Sequence, residues 1–114
     1  MTIIMVKMAP KRRFLLAYAT RVKLHLKAIE RKYYSLIRTT IESGLLFEPD
    51  VETGNRKTLR RPVAFEAEWE LRFGPENRFR VFYAIDQEQR TVHILAVGVK
   101  KGNRLFIGGE EVEL

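Results

Sequence analysis

Three stretches between residues 65 and 99 decide the fold: Phe65-Glu66-Ala67-Glu68-Trp69-Glu70-Leu71-Arg72-Phe73, Phe79-Arg80-Val81-Phe82-Tyr83-Ala84-Ile85 and Val92-His93-Ile94-Leu95-Ala96-Val97-Gly98-Val99. In the first, apolar residues fall on odd positions and charges on even ones, the period of a half-buried strand. The second alternates in the same way, and the third is apolar on both faces, as a central strand is. Gly74-Pro75-Glu76-Asn77 and Asp86-Gln87-Glu88-Gln89 between them are turn material. The middle of the chain is therefore predicted to be a three-stranded antiparallel meander.

Side chains set the register of its first hairpin. With Phe73 opposite Phe79, Leu71 meets Val81, Trp69 meets Tyr83 and Ala67 meets Ile85, an apolar ladder on one face. The other face then sets Arg72 against Arg80, with Glu70 diagonal to Arg80. Like charges across a ladder cost roughly 0.2–1 kcal/mol. Either the two arginines converge on an anion such as a phosphate, or Glu68 and Glu70 neutralise them in a salt-bridge patch.

Working outward, Phe14–Ala19 reads as a first strand, with Thr20 as N-cap of the helix that follows. Val22, Leu26, Ile29, Tyr33, Ile37 and Ile41 recur at spacings of three and four, one apolar helical stripe. It is long for so small a domain, so a break is expected near Glu30–Tyr33, giving helices over about 20–30 and 33–44 by cap and stripe signals, with Gly44 closing the second. Arg21, Lys23, Lys27, Arg31, Lys32 and Arg38 fall on the polar side. Residues 45–62 show no period and read as a long surface loop whose Arg56, Lys57, Arg60 and Arg61 are candidate backbone contacts for a nucleic acid. A basic turn, Lys100 to Arg104, leads to Leu105-Phe106-Ile107 and an acidic end.

The chain has 114 residues, 46% of them hydrophobic, enough for one domain with one sheet and one helical layer. Residues 1–11 are expected to be an N-terminal extension and 12–114 the single domain. Ile3-Ile4-Met5-Val6 is too short for a signal segment, and nothing approaches transmembrane length. Absence of cysteine excludes a disulfide framework and suits a reducing cytoplasm. His25 and His93 carry no metal-ligand spacing, so neither a metal nor another cofactor is expected. The formal charge is +7, and residues 1–40 hold ten Lys/Arg against one acid, Glu30. Such a lobe suits a polyanion or an acidic protein, and charge alone leaves RNA, DNA, membrane and protein open.

Strand, two helices, long loop, meander and basic turn, together with Leu71-Arg72, Phe79-Arg80-Val81-Phe82-Tyr83 and Ala96-Val97-Gly98-Val99-Lys100, resemble the RelE/ParE superfamily of type II toxin–antitoxin toxins over about residues 12–107. The resemblance implies an α+β fold, helices on one face of a small antiparallel sheet and an active cleft on the concave opposite face. RelE-type members cut mRNA on the ribosome without a metal, the 2′-hydroxyl attacking the adjacent phosphate. ParE-type members share the fold, lack the nuclease residues and inhibit DNA gyrase. Both are neutralised by a cognate antitoxin protein, with which they form hetero-oligomers. Neither reading calls for a membrane.

Carried over by position, Arg80 matches the arginine that contacts the scissile phosphate, and Lys100 the basic position after the third meander strand. Arg72 and Arg104 are further cleft candidates. Arg78, Lys101 and Phe106 are candidate nucleic-acid contacts. Where the best-known nucleases carry two lysines on the first meander strand, this chain has Glu68 and Glu70; where they end in a tyrosine it has Phe106. Glu70 is the candidate general base, with a plain ion pair to Arg80 as the alternative. His93, alternating with Leu95 and Val97, is expected to pack against the sheet. The resulting expectation is a cytoplasmic mRNA endoribonuclease, with a gyrase inhibitor or an inactive antitoxin-binding protein as alternatives.

Overall fold

The computed structural model describes residues 13–60 and 65–113, so the expected extension over residues 1–11 lies outside them. In chain order come β1 (Leu15–Tyr18), α1 (Val22–Lys27), a 3-10 turn (Arg31–Tyr33), α2 (Tyr34–Leu45) and β2 (Arg56–Thr58). Then follow β3 (Trp69–Phe73), a tight turn (Pro75–Asn77), β4 (Phe79–Asp86), β5 (Thr91–Lys101), β6 (Arg104–Ile107) and β7 (Glu110–Val112). Strands β2 to β7 are neighbours in sequence order and pair antiparallel, while β1 lies parallel to β5. The fold is α+β, with the expected meander at its centre.

The first hairpin has the register that its side chains dictate: Phe73 opposite Phe79, Arg72 opposite Arg80, Leu71 opposite Val81 and Trp69 opposite Tyr83. The expected Ala67–Ile85 pair does not form, because β3 begins only at Trp69 and Ala67 turns to a second apolar cluster on the opposite face. The basic loop also contributes a strand, β2, to the sheet edge. The break in the helical stripe falls where expected, but Gly44 lies inside α2, which is capped at Leu46. Thr20 does not cap α1; Arg21 is the cap residue, and backbone turn bonds from Val22 to Ala19 and from Lys23 to Thr20 start the helix.

Strand β5 carries the main departure. Phe82 pairs with Ala96 but Tyr83 with Ile94, so Leu95 is an extra, bulged residue. The bulge reverses the parity of the strand. Val92 and Ile94 before it and Val97 after it thus all reach the core under the helices, while Ala96 joins the opposite face. His93 is consequently exposed rather than packed. The same stretch is where α1 docks: β1 covers the edge of β5 as far as Ile94 and β6 takes it up at Gly98. Between them the Arg21 Nε–H donates to the Leu95 carbonyl at 2.9 Å, and the Val97 N–H donates to His25 Nδ1 at 3.2 Å. Arg21 thus belongs to the sheet contact and not to the solvated side of the helix.

The main core holds Val22, Ile37, Ile41 and Leu45 of the helices against Val81, Tyr83, Ile94 and Val97 of the sheet. The opposite face is not an open concavity throughout. Ala67, Phe82, Ala96, Leu105 and Ile107 fill its middle, leaving a polar end where Arg72, Arg80 and Lys100 project by parity.

Candidate functional site

At that polar end, the β3–β4 turn and the end of β5 enclose a cleft of about 480 Å³ lined by Glu76, Arg78, Arg80, Lys100, Lys101 and Gly102. Arg78, Arg80 and Lys100 accompany one acid, Glu76, there, while Lys101 lines the rim with its ammonium over Phe106 on the other face of the sheet; three cations grouped in this way suit a phosphate.

Arg80 is the buried member, held from two sides. Its Nη1–H donates to Glu70 Oε1 at 3.1 Å and its Nε–H to the Asn77 carbonyl at 3.0 Å. Burial lowers the guanidinium pKa from its ordinary value; the Glu70 carboxylate opposes this and Arg72 adds to it. Glu70 is also buried and accepts from Arg72 Nε–H at the same oxygen. A carboxylate engaged by two guanidinium groups serves to orient Arg80. As a proton acceptor for a substrate hydroxyl it is poorly placed.

The turn that aims these groups has an unusual backbone. Gly74 sits at φ +83°, and a Cβ there would come within 2.4 Å of the Phe79 ring. Glu76 and Asn77 follow at φ +57° and +52°, two left-handed residues in succession that are not glycine. Asn77 N–H donates to the Gly74 carbonyl at 3.0 Å, and the Asn77 carbonyl is the one that holds Arg80. Arg78 N–H and Nε–H both donate to the Pro75 carbonyl, at 3.1 and 3.2 Å. Its guanidinium also reaches the Tyr33 hydroxyl at 3.5 Å, tying the cleft to the helical layer.

Of the residues singled out from sequence, Arg80, Lys100 and Arg78 come together in this cleft, and Lys101 lines its rim. Arg72 stands beside it, half-exposed and paired to Glu70. The remaining basic positions lie elsewhere. Arg56 is buried, its guanidinium donating to the carbonyls of Val51 and Gly44, so it ties the loop to α2 and faces no ligand. Lys57 is exposed on β2, opposite Glu70 in register, and Arg60 is exposed beyond it. Arg104 is ion-paired with Glu111 at 3.6 Å, and Phe106 lies half-buried under Lys101, its ring centroid 5.4 Å from the ammonium. By strand parity both project to the face opposite Arg80.

Two groups were missed. Glu76 has no sequence signal beyond being an acid in a turn. Arg21 and His25 had one, since a spacing of four sets them on one face of a helix. Among the described residues, no three His, Asp or Glu side chains converge as they would around a metal ion, and no helix is long and apolar enough to cross a membrane.

No protein-family profile and no curated protein matches the sequence. A solved structure does: the toxin–antitoxin complex RelBE2 from Mycobacterium tuberculosis, at 22% identity and a TM-score of 0.58, over 77% of this chain and 99% of that one. The chain therefore shares the α+β fold of that structure.

Proposed function

We propose that this protein is the toxin of a toxin–antitoxin pair and cuts mRNA on the ribosome by attack of a 2′-hydroxyl on the adjacent phosphate. The observation that carries the reading is Arg80, fixed by Glu70 and Asn77 at a cleft it shares with Arg78, Lys100 and Lys101. Held guanidinium and ammonium groups stabilise a phosphate whose charge grows in the transition state, and removal of one such donor costs about 3–4 kcal/mol of barrier. No cofactor is required by this chemistry. The reading places the protein in the cytoplasm.

A cognate antitoxin is the second partner. An apolar groove of about 410 Å³ runs between β1, α1 and α2, lined by Tyr18, Leu26, Tyr34, Ile37 and Ile41. Leu15, Tyr18, Leu24 and Leu36 are exposed. Exposed apolar surface of this kind suits a protein partner in a hetero-oligomer.

One observation favours a different mechanism on the same fold. Glu70 is engaged by two arginines and Phe106 carries no hydroxyl, so the positions that supply proton transfer by resemblance are silent, as in a gyrase inhibitor or an inactive antitoxin-binding protein. Induced expression of the wild type beside Arg80→Ala and Lys100→Ala, with mRNA 5′ ends mapped in growing cells and the folding of each variant checked by circular dichroism, separates the three. The nuclease reading expects growth arrest with new ends inside translated frames, both lost in the variants. Arrest without new ends, accompanied by loss of DNA supercoiling, establishes the gyrase reading. A folded protein that causes no arrest establishes the inactive one.

A further inference from the structure

We propose that Glu76, in the β3–β4 turn, is the general base of the cleavage reaction; this rests on the nuclease reading above. Glu76 is the one carboxylate lining the cleft of Arg78, Arg80, Lys100 and Lys101. It is exposed, and it forms no ion pair within 4 Å among the described residues, unlike Glu70 on the strand behind it. Its backbone stands at φ +57°, followed by Asn77 at +52°. Asparagine tolerates the left-handed region, whereas a glutamate there is disfavoured by about 1–3 kcal/mol. Here the turn places two groups at once: the Asn77 carbonyl that fixes Arg80, and Glu76 on the cleft lining.

The chemistry balances on the residues present. The Glu76 carboxylate removes the proton of the 2′-hydroxyl as that oxygen bonds to phosphorus, while Arg80 and Lys100 neutralise the phosphate oxygens. The bond from phosphorus to the 5′ oxygen breaks, and the leaving oxygen takes a proton from solvent. The products are a 2′,3′-cyclic phosphate and a 5′-hydroxyl end, and Glu76 returns its proton to water.

The sign of one substitution distinguishes a base from a bystander. An acid that merely sits in a cationic cleft repels RNA, so its removal raises both binding and cleavage. A base, when removed, lowers the cleavage rate by about 10²–10⁴-fold while binding holds or tightens. The experiment uses the full chain with programmed ribosomes, measuring single-turnover cleavage of mRNA, and separately the binding of a 2′-O-methyl RNA that cannot be cut. Wild type, Glu76→Gln, Glu76→Asp and Arg80→Ala are compared. The proposal expects Glu76→Gln to lose cleavage and keep binding, Glu76→Asp to recover part of the rate, and the products of the wild type to carry cyclic phosphate. Glu76→Gln cleaving at or above the wild-type rate, with Arg80→Ala inactive, overturns the assignment of the base and leaves the nuclease reading standing. A wild type that cuts no mRNA overturns both.

Discussion

Arg72 and Arg80 facing one another across β3 and β4 follow from the sequence, because a side-chain period of two and matched phenylalanines at the turn fix the register. What the pair does was not legible. Alternation put Glu70 beside Arg80 but did not show that Glu70 is buried, Arg80 with it, and Arg72 half-exposed. That difference in burial sets the energetics. Truncation of Glu70 leaves the buried Arg80 guanidinium without its carboxylate, and breaking a buried pair from one side costs about 3–5 kcal/mol. Arg72→Ala removes the solvated partner and is expected to cost about 0–1 kcal/mol. Urea unfolding of Glu70→Ala and Arg72→Ala beside the wild type checks this ordering; equal midpoints for the two variants would show that Glu70 holds neither arginine.

At the scale of elements, the helical break and the three meander strands were legible because stripe and alternation have different periods. The bulge at Leu95 was not. Residues 94–99 are apolar at almost every position, so a slip of one residue leaves an apolar side chain on either face and no pattern records it. His93 was read as packed for that reason. The helix contacts that fill the gap in the β5 edge make stability depend on pH. Burial, and then the neighbouring Arg21 charge, lower the His25 pKa from its ordinary 6.5. The neutral ring accepts the Val97 N–H, which an imidazolium cannot do. The unfolded chain takes up a proton near pH 6.5 and the folded chain only below that. The His25 contribution is therefore complete above the unfolded value and declines as the pH falls beneath it. Denaturation midpoints at about pH 7.5 and about pH 5 are expected to differ more for the wild type than for His25→Gln, whose amide oxygen still accepts the bond. Equal pH dependence in the two proteins would remove His25 from the account.

On the scale of the whole molecule, fold class and the order of β1, the helices and the meander were legible, while the edge strands β2 and β7 and the filling of the second sheet face were not, since Leu59 is an isolated apolar residue in a stretch with no period and Ala67 turns away from the face that its alternation assigns it. That filling bears on function, because it confines the accessible cations of this face to one end of the sheet. The formal charge of +7 spread over the chain predicts non-specific attraction to any polyanion. A cleft holding Arg78, Arg80 and Lys100 predicts something narrower. Each single-strand phosphate neutralised contributes about −0.7 to the slope of log K against log salt, so full engagement of the cleft gives a slope of about −2. Titration of a 2′-O-methyl RNA by fluorescence anisotropy across a salt series measures it directly. Lys100→Ala is expected to flatten the slope by about 0.7, whereas Lys23→Ala on the exposed side of α1 leaves it unchanged. If the Lys23 variant changes the slope and the Lys100 variant does not, the RNA lies along the basic helical lobe, and the cleft around Arg80 is not where the strand is held.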